Sequence, residues 1–461
     1  MTNYSKFVAS KLVRSPHTGL ADVPALSPAL FAFQRELVGW ALRRGRAALF
    51  AGTGLGKTRM QLEWARHVGD VMILAPLAVA AQTAREGQAI GVDVTVCRED
   101  ADVLPGVNIT NYDRIHKFDP LRFRGVVLDE SSIIKHHDAK TLSVLMDAFC
   151  ATPFKLAATA TPSPNDYTEL GTHAEFLGVC SRAEMLSEFF VHDGGDTASW
   201  RLKGHARGAF WEWVATWAAL LRKPSDLGHD DAGYILPPLT VEHHVIAADA
   251  ETTKLSGLLF AAEAHTLKER RDARRGSIGA RVEAAADLVN ADAEPWIVWC
   301  DLNAESEALA RSIPGAIEIR GSHTTEEKEE ALTHFAAGRV RVLVSKPSIC
   351  GFGLNWQHCA RIAFVGVTDS FEAYFQAIRR CWRFGQVRPV EAHVFASEIE
   401  GRVLANLRRK EADATAMAEE LAAWTRGAVN AEVHGMTRSV NAYKPATGMQ
   451  IPAWLTQEEG T

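Results

Sequence analysis

The chain has 461 residues, 47% of them hydrophobic, and a formal net charge of −6 at pH 7. That is enough apolar material for two or three cored domains, and the charge carries no general signal for a polyanion partner, so any nucleic-acid contact must come from local basic patches. Its 7 cysteines (Cys97, Cys150, Cys180, Cys300, Cys350, Cys359, Cys381) include no C-x-x-C pair, which suits a reducing compartment and speaks against a disulfide scaffold or a structural zinc site.

In chain order, residues 1–27 are polar, proline-punctuated and without a long apolar core, so they read as a poorly ordered or peripheral lead. No later stretch approaches the roughly 18 apolar residues that span a bilayer, and the expectation is a soluble cytoplasmic protein with no membrane partner. From Phe31 onward, short apolar runs alternate with helix-sized segments: Ala47–Phe50, Val71–Ala75, Val107–Thr110, Val126–Leu128 and Lys155–Ala158. Runs of this length bounded by turn residues predict buried parallel strands of an α/β sheet. The rhythm breaks over residues 171–240. There Phe210, Trp211, Trp213, Val214, Trp217, Leu220 and Leu221 form a stripe at roughly helical spacing, which predicts core rather than a base-stacking surface. Asp193–Asp196 and Gly228–Gly233 read as loops and Pro237–Pro238 as a hinge. Alternation returns with Trp296–Trp299, Ala316–Ile319, Val340–Val344, Arg361–Val365 and Glu391–Phe395, a second α/β lobe. Leu404–Ala423 reads as closing helices, and the chain beyond Trp424 as a loop-like tail.

The stretch Ala51–Thr58, AGTGLGKT, lies between an apolar run and a helical one, Arg59–His67. Strand, glycine-rich turn and helix in that order are what a phosphate-binding loop needs, because backbone N–H groups and a helix N-terminus must converge on one anion. Gly52, Thr53, Gly54, Leu55 and Gly56 would wrap the phosphates, Lys57 would reach the β and γ phosphates, and the Thr58 hydroxyl would ligate Mg2+. Ala51 stands where the strict pattern begins with glycine. Downstream, GVVLDESSIIK (Gly125–Lys135) sets two acids after an apolar strand; Asp129 suits Mg2+ and Glu130 the activation of water, although an Asp-Glu pair also occurs as ordinary loop chemistry.

The order of these stretches resembles superfamily 2 helicases, and among them the Swi/Snf-type DNA translocases. FQRELVGW (Phe33–Trp40) resembles the segment in which a glutamine, here Gln34, recognises adenine. DESSIIK resembles the Asp-Glu-Ala-His box, with Asp129, Glu130, Ile134 and Lys135 matching and Ser131 and Ser132 departing. Leu74–Pro76 and Ile109–Ile115 resemble the motifs of the nucleic-acid track, and Ala158–Asn165 (ATATPSPN) the motif whose Thr159 and Thr161 would couple the two sites. In the second half, SKPSICGFGLN (Ser345–Asn355) resembles the motif touching nucleic acid and nucleotide, with Gly353 and Asn355 in place. QAIRRCWRFGQ (Gln376–Gln386) resembles the arginine motif at each specified position.

The resemblance spans roughly residues 31–396 and implies an α/β fold of two tandem RecA-like P-loop lobes with the ATP site in the cleft between them. The implied division is 1–27 lead, 28–234 first lobe with a helical insertion at 171–234, 235–424 second lobe and 425–461 tail. Arg380 and Arg383, three apart, would share a helix face and stabilise charge on the γ phosphate, and Gln376 would sense the nucleotide. The implied activity is Mg-ATP hydrolysis coupled to movement on DNA, duplex favoured, with RNA as a second polynucleotide and room for a protein partner. The compact form looks like the short helicase-like proteins of bacteria and their phages. A strand-separating helicase and an ATP-switched DNA clamp in a phage replication or restriction assembly are the alternatives. The basic run Lys268–Arg281 reads equally as a phosphate contact or a solvated helix face.

Overall fold

The computed structural model describes residues 18–76, 79–135, 139–163, 166–193, 196–246, 276–350, 355–366 and 371–397, with single positions between 409 and 433. Two wholly parallel sheets organise them. The first runs in spatial order β3-β4-β2-β5-β6-β1-β9. Its strands are β1 (Arg46–Ala51), β2 (Val71–Ala75), β3 (Val94–Val96), β4 (Val107–Asn111), β5 (Gly125–Asp129), β6 (Phe154–Thr159) and β9 (Ala218–Leu221). Every residue of β2, β5 and β6 is buried, as expected where both faces of a parallel sheet are covered. Helices α1 (Ala32–Arg44), α2 (Lys57–Val68), α3 (Ala80–Ala89) and α4 (Ala139–Ala148) connect them. Trp40 and Trp64 bring large buried surfaces from α1 and α2 to one core, which Leu49, Ile73, Val127 and Leu156 complete from the sheet.

The five apolar runs predicted in this half fall on β1, β2, β4, β5 and β6. The edge strand β3 is new: three half-buried or exposed residues carry no periodic signal. The aromatic stripe is core, with Phe210, Trp211, Val214, Trp217 and Leu221 buried. Its helical reading is corrected beyond Ala215. After α5 (Leu170–Leu177), α6 (Arg182–Phe189) and an antiparallel hairpin of β7 (Phe190–Asp193) and β8 (Asp196–Leu202), α7 (Arg207–Ala215) stops and β9 extends beside β1. Bonds from Thr216 N to Trp213 O and from Trp217 N to Val214 O tighten the last turn. Ala48 N then takes the Trp217 carbonyl, so sheet pairing replaces the helical ladder. The predicted Asp193–Asp196 loop is corrected at both ends, where Asp193 closes β7 and Asp196 opens β8; residues 194–195 lie outside the described residues. The described part of the N-terminal lead is tied down: Leu20 N bonds Leu42 O at 2.8 Å and Ser27 N bonds the buried Glu63 carboxylate at 2.7 Å.

The second sheet runs β10-β15-β14-β11-β13-β12. It comprises β10 (Leu239–Ile246), β11 (Trp296–Cys300), β12 (Ile317–Glu318), β13 (Val342–Ser345), β14 (Arg361–Val365) and β15 (Val390–Ser397). Around it lie α8 (Ile278–Asn290), α9 (Asn303–Ser312), α10 (Thr325–Ala336), the single turn α11 (Pro347–Cys350) and α12 (Phe371–Ile378). The predicted runs all meet strands here, though Ala316–Ile319 shrinks to the two residues of β12. β10, next to the predicted proline hinge, is an unpredicted edge strand whose residues alternate between half-buried and exposed over much of its length. The hinge itself is anchored, because the Trp382 indole donates to Pro237 O at 2.7 Å.

Of the basic run Lys268–Arg281, only the last cation is described. Positions 268–275 lie outside the described residues, and Arg281 is neither on a solvated face nor offered to phosphates: it is fully buried in α8, 2.8 Å from the equally buried Glu305 of α9. The closing helices at 404–423 and the tail beyond 424 lie outside the described residues apart from isolated positions.

Candidate active site

β1 delivers the chain into a glycine loop at Gly52–Gly56, and α2 leaves it at Lys57. The loop is pinned to β9 by a 2.8 Å bond from Gly52 N to Leu221 O, so the unpredicted strand supports the turn. Gly54 and Gly56 sit at φ 90° and 78°, conformations that side chains resist. A Cβ would also meet Phe384 at 2.9 Å from Gly54, and the Gln34 amide at 2.3 Å from Gly56. Gln34, buried in the first turn of α1, bridges Phe31 N and Leu55 O at 2.9 Å each. Leu55 is buried, Thr58 is half-buried, and Thr53 Oγ1 is buried with no hydrogen-bond partner among the described residues. Lys57 bonds Ala51 O at 3.1 Å. Burial pushes the pKa of its ammonium down; Glu130 and Asp129 pull it up, while Arg383 and Arg380 push it further down.

The acids stand at the end of β5, two strands from β1. Asp129 is buried, and its carboxyl is pushed up to about 6 by burial and by the neighbouring Glu130. Gln61 of α2 donates to it at 2.7 Å, and the Tyr112 hydroxyl holds its backbone carbonyl at 2.8 Å. Glu130 has φ 48°, the one non-glycine residue with positive φ among the described residues. Strain of that kind persists where its surroundings enforce it. Here Ser131 Oγ lies 3.0 Å from the His173 ring of α5, and Thr159 Oγ1 reaches both Ser132 Oγ (3.3 Å) and Glu130 Oε2 (3.4 Å). Thr161 N in turn donates to Thr159 Oγ1 at 3.1 Å. The two serines are therefore buried network members. Gln61, Tyr112 and His173 were not predicted as site residues. Gln61, four residues after Lys57, is one turn along the face that carries the lysine, which is the signal that finds it.

The arginine segment approaches from the second sheet. The predicted helix is corrected: α12 ends at Ile378, and Arg380 and Arg383 lie in the turns that follow. Tertiary partners claim the carbonyls a helix would need, since Trp356 N takes Arg380 O at 2.9 Å and the Gln386 amide takes Cys381 O at 3.3 Å. Arg380 is buried and bonds Gln376 through its carbonyl (3.2 Å) and side-chain oxygen (3.1 Å). Burial pushes both guanidinium pKa values down to about 10, against the pull of Glu130. Phe384 lies against Gly54, its ring 4.7 Å from Tyr234 and 6.4 Å from Phe31. Asp129 and Glu130 are thus near enough to act on the charge of Lys57 and Arg380, and Arg383 on that of Lys57. Such a cluster suits a polyanion together with a divalent cation.

Other predicted residues stand apart. Ser345 is fully buried at the end of β13, donating to Ile319 O at 3.1 Å. Asn355 is half-buried, with Oδ1 lacking a partner among the described residues. Lys135 ends the short turn after Glu130, and Gly353 lies outside the described residues.

Residues 281–385 match the helicase conserved C-terminal domain. That match supports a member of helicase superfamily 1 or 2, an ATP-hydrolysing, nucleic-acid-binding class, and it ends where Phe384 meets the glycine loop. No curated protein matches the chain. No described helix is long and apolar enough to cross a membrane.

Proposed function

We propose that the protein is a nucleic-acid-dependent ATPase of the Swi/Snf type, with two RecA-like lobes that move along DNA, duplex favoured, as Mg-ATP is hydrolysed between them. The observation that carries the reading is the charge cluster assembled from both halves of the chain, with Asp129 and Arg380 buried and Lys57, Glu130 and Arg383 half-buried beside them. The residues fit Mg-ATP. The cations are held below their ordinary pKa range and the Asp129 carboxyl above its own, and a polyphosphate with its Mg2+ would relieve both. Bound Mg-ATP supplies the phosphoanhydride to be cleaved.

The chain's own groups have separable tasks. Lys57 and the loop N–H groups at Gly52–Thr58 would hold the phosphates, Thr58 and Asp129 the Mg2+, and Gln34 the base, exchanging its bond to Leu55 O. Glu130 would take the proton of the attacking water, while Arg380 and Arg383 neutralise charge developing on the transferred group. Arg380 is itself positioned by Gln376. Because the arginines come from the second sheet, turnover would depend on how the two halves sit. The bonds around Thr159 favour a coupled motor over a clamp: although Ser132 departs from the family's histidine, Thr159 itself contacts Glu130 and Ser132 and accepts from Thr161 N.

The test is steady-state ATP hydrolysis with no polynucleotide, duplex DNA, single-stranded DNA or RNA, at two salt concentrations. Stimulation by duplex DNA that weakens with salt is expected, since backbone contacts release counterions. Turnover indifferent to every polynucleotide would overturn the nucleic-acid assignment.

A further inference from the structure

β10 and β15 are parallel neighbours in a register that pairs Glu242 with His393 and His244 with Phe395. Side chains two apart on a strand share a face, so Glu242 and His244 meet His393 on one side of the sheet. His244 Nε2 lies 3.0 Å from His393 Nδ1, the Glu242 carboxylate lies 3.5 Å from the same nitrogen, and the three donor atoms are within 4.8 Å of one another. One imidazole nitrogen cannot serve both neighbours with a single proton. A cation placed among the three satisfies all of them. Zinc binds imidazole nitrogen at about 2.0–2.1 Å in tetrahedral geometry, which sets neighbouring donors about 3.3–3.4 Å apart.

The surroundings hold these donors in place. His393 is buried, with the Trp296 ring 5.7 Å away, and the His244 ring stacks on Phe395 at 4.5 Å. Glu391, ion-paired to Arg361 at 2.5 Å, sits 3.9 Å from His393 Nε2, beyond hydrogen-bond reach, and adds negative charge beside the ring. Glu242 is exposed on an edge strand, leaving a route from solvent and an open fourth position. Two nitrogens and one oxygen select a borderline cation over Mg2+ or Ca2+.

We propose that Glu242, His244 and His393 form a binding site for a divalent cation of the zinc class, which clips edge strand β10 to β15. The site is separate from Thr58 and Asp129, and it uses none of the cysteines that argued against structural zinc in the sequence.

The experiment titrates the full chain, stripped of metal and held in excess Mg2+, with Zn2+ against a chromophoric chelator. One tight Zn2+ per chain is expected, together with a higher apparent Tm. His244→Gln and Glu242→Gln alter half-buried and exposed side chains, so the fold survives. Each should weaken binding by more than the about 10-fold minimum seen when only an outer partner of a ligand is lost, and His244→Gln should abolish the Tm rise. Co2+ in place of Zn2+ should give tetrahedral d–d bands without a thiolate charge-transfer band. Absence of stoichiometric Zn2+ binding, binding unchanged in His244→Gln, or a thiolate band would each overturn the assignment.

Discussion

Asp129 carries a carboxyl that burial and Glu130 push up to about 6, while its ordinary value is about 3.9. A raised folded-state value means that the protonated form favours folding. That contribution is present below the unfolded value and is lost as pH rises through about 6. The ligand-free protein should therefore lose apparent Tm between about pH 4 and 6. Asp129→Asn should remove that loss and raise Tm near pH 7.5 by a few degrees, at about 2–4 °C per kcal/mol, while abolishing Mg-dependent turnover. Scanning fluorimetry of both proteins across pH checks this; a variant less stable than the parent at pH 7.5 contradicts it. The arginines make a second residue-scale prediction. Arg383→Ala should slow hydrolysis by about 10³-fold or more with nucleotide affinity little changed, because a finger acts mainly in the transition state. Lys57→Ala should lose affinity as well. Fluorescent-nucleotide titration separates them, and equal losses of affinity would make Arg383 a structural arginine. At this scale the roles proposed for Lys57, Asp129 and Arg383 could be read in the sequence because each rests on a local motif. Tyr112 and His173 were not, since each acts through a partner 17 or 42 residues distant.

Among the elements, strands buried on both faces announced themselves as apolar runs, whereas β3, β9 and β10 did not. β3 and β10 lie at sheet edges, where one side is open and the side chains are mixed in polarity; β9, also at an edge, is apolar, and its run merges with the helical stripe before it. The pairing of α8 with α9 was equally hidden. Arg281 sits in a basic run, yet its guanidinium is fully buried against Glu305, which also caps α9 by accepting from Asp301 N and Leu302 N at 2.9 Å. Removing one partner of a buried ion pair strands the other charge, so Arg281→Met should destabilise by about 3–5 kcal/mol. Adding Glu305→Leu should restore part of that loss, leaving a deficit from the missing cap. Denaturant unfolding of the single and double variants measures the coupling. Additive losses would show that the two groups do not act as a pair.

For the whole molecule, the relation of the two sheets matters most. Phe384 packs on Gly54, Trp382 holds Pro237, and the arginines share a field with Lys57, so the second half contributes to the charge cluster as well as flanking it. The proposed motor should hydrolyse ATP in proportion to the length of DNA it is given. Raising duplex length at constant nucleotide concentration should therefore increase turnover per binding event until dissociation intervenes. One turnover per event at every length would favour the clamp.

The sequence by itself determined the alternation of strand and helix, the glycine loop, the acid pair and the arginine run, because each depends on neighbours within a few residues. Only the tertiary structure decided that the arginines leave their helix, that Ser131 and Ser132 join a buried network and that Arg281 turns inward. It alone also brought Glu242, His244 and His393 together. Those outcomes depend on hydrogen bonds and charges between segments distant in the chain, and no local pattern encodes which carbonyl, carboxylate or imidazole will be near enough to compete.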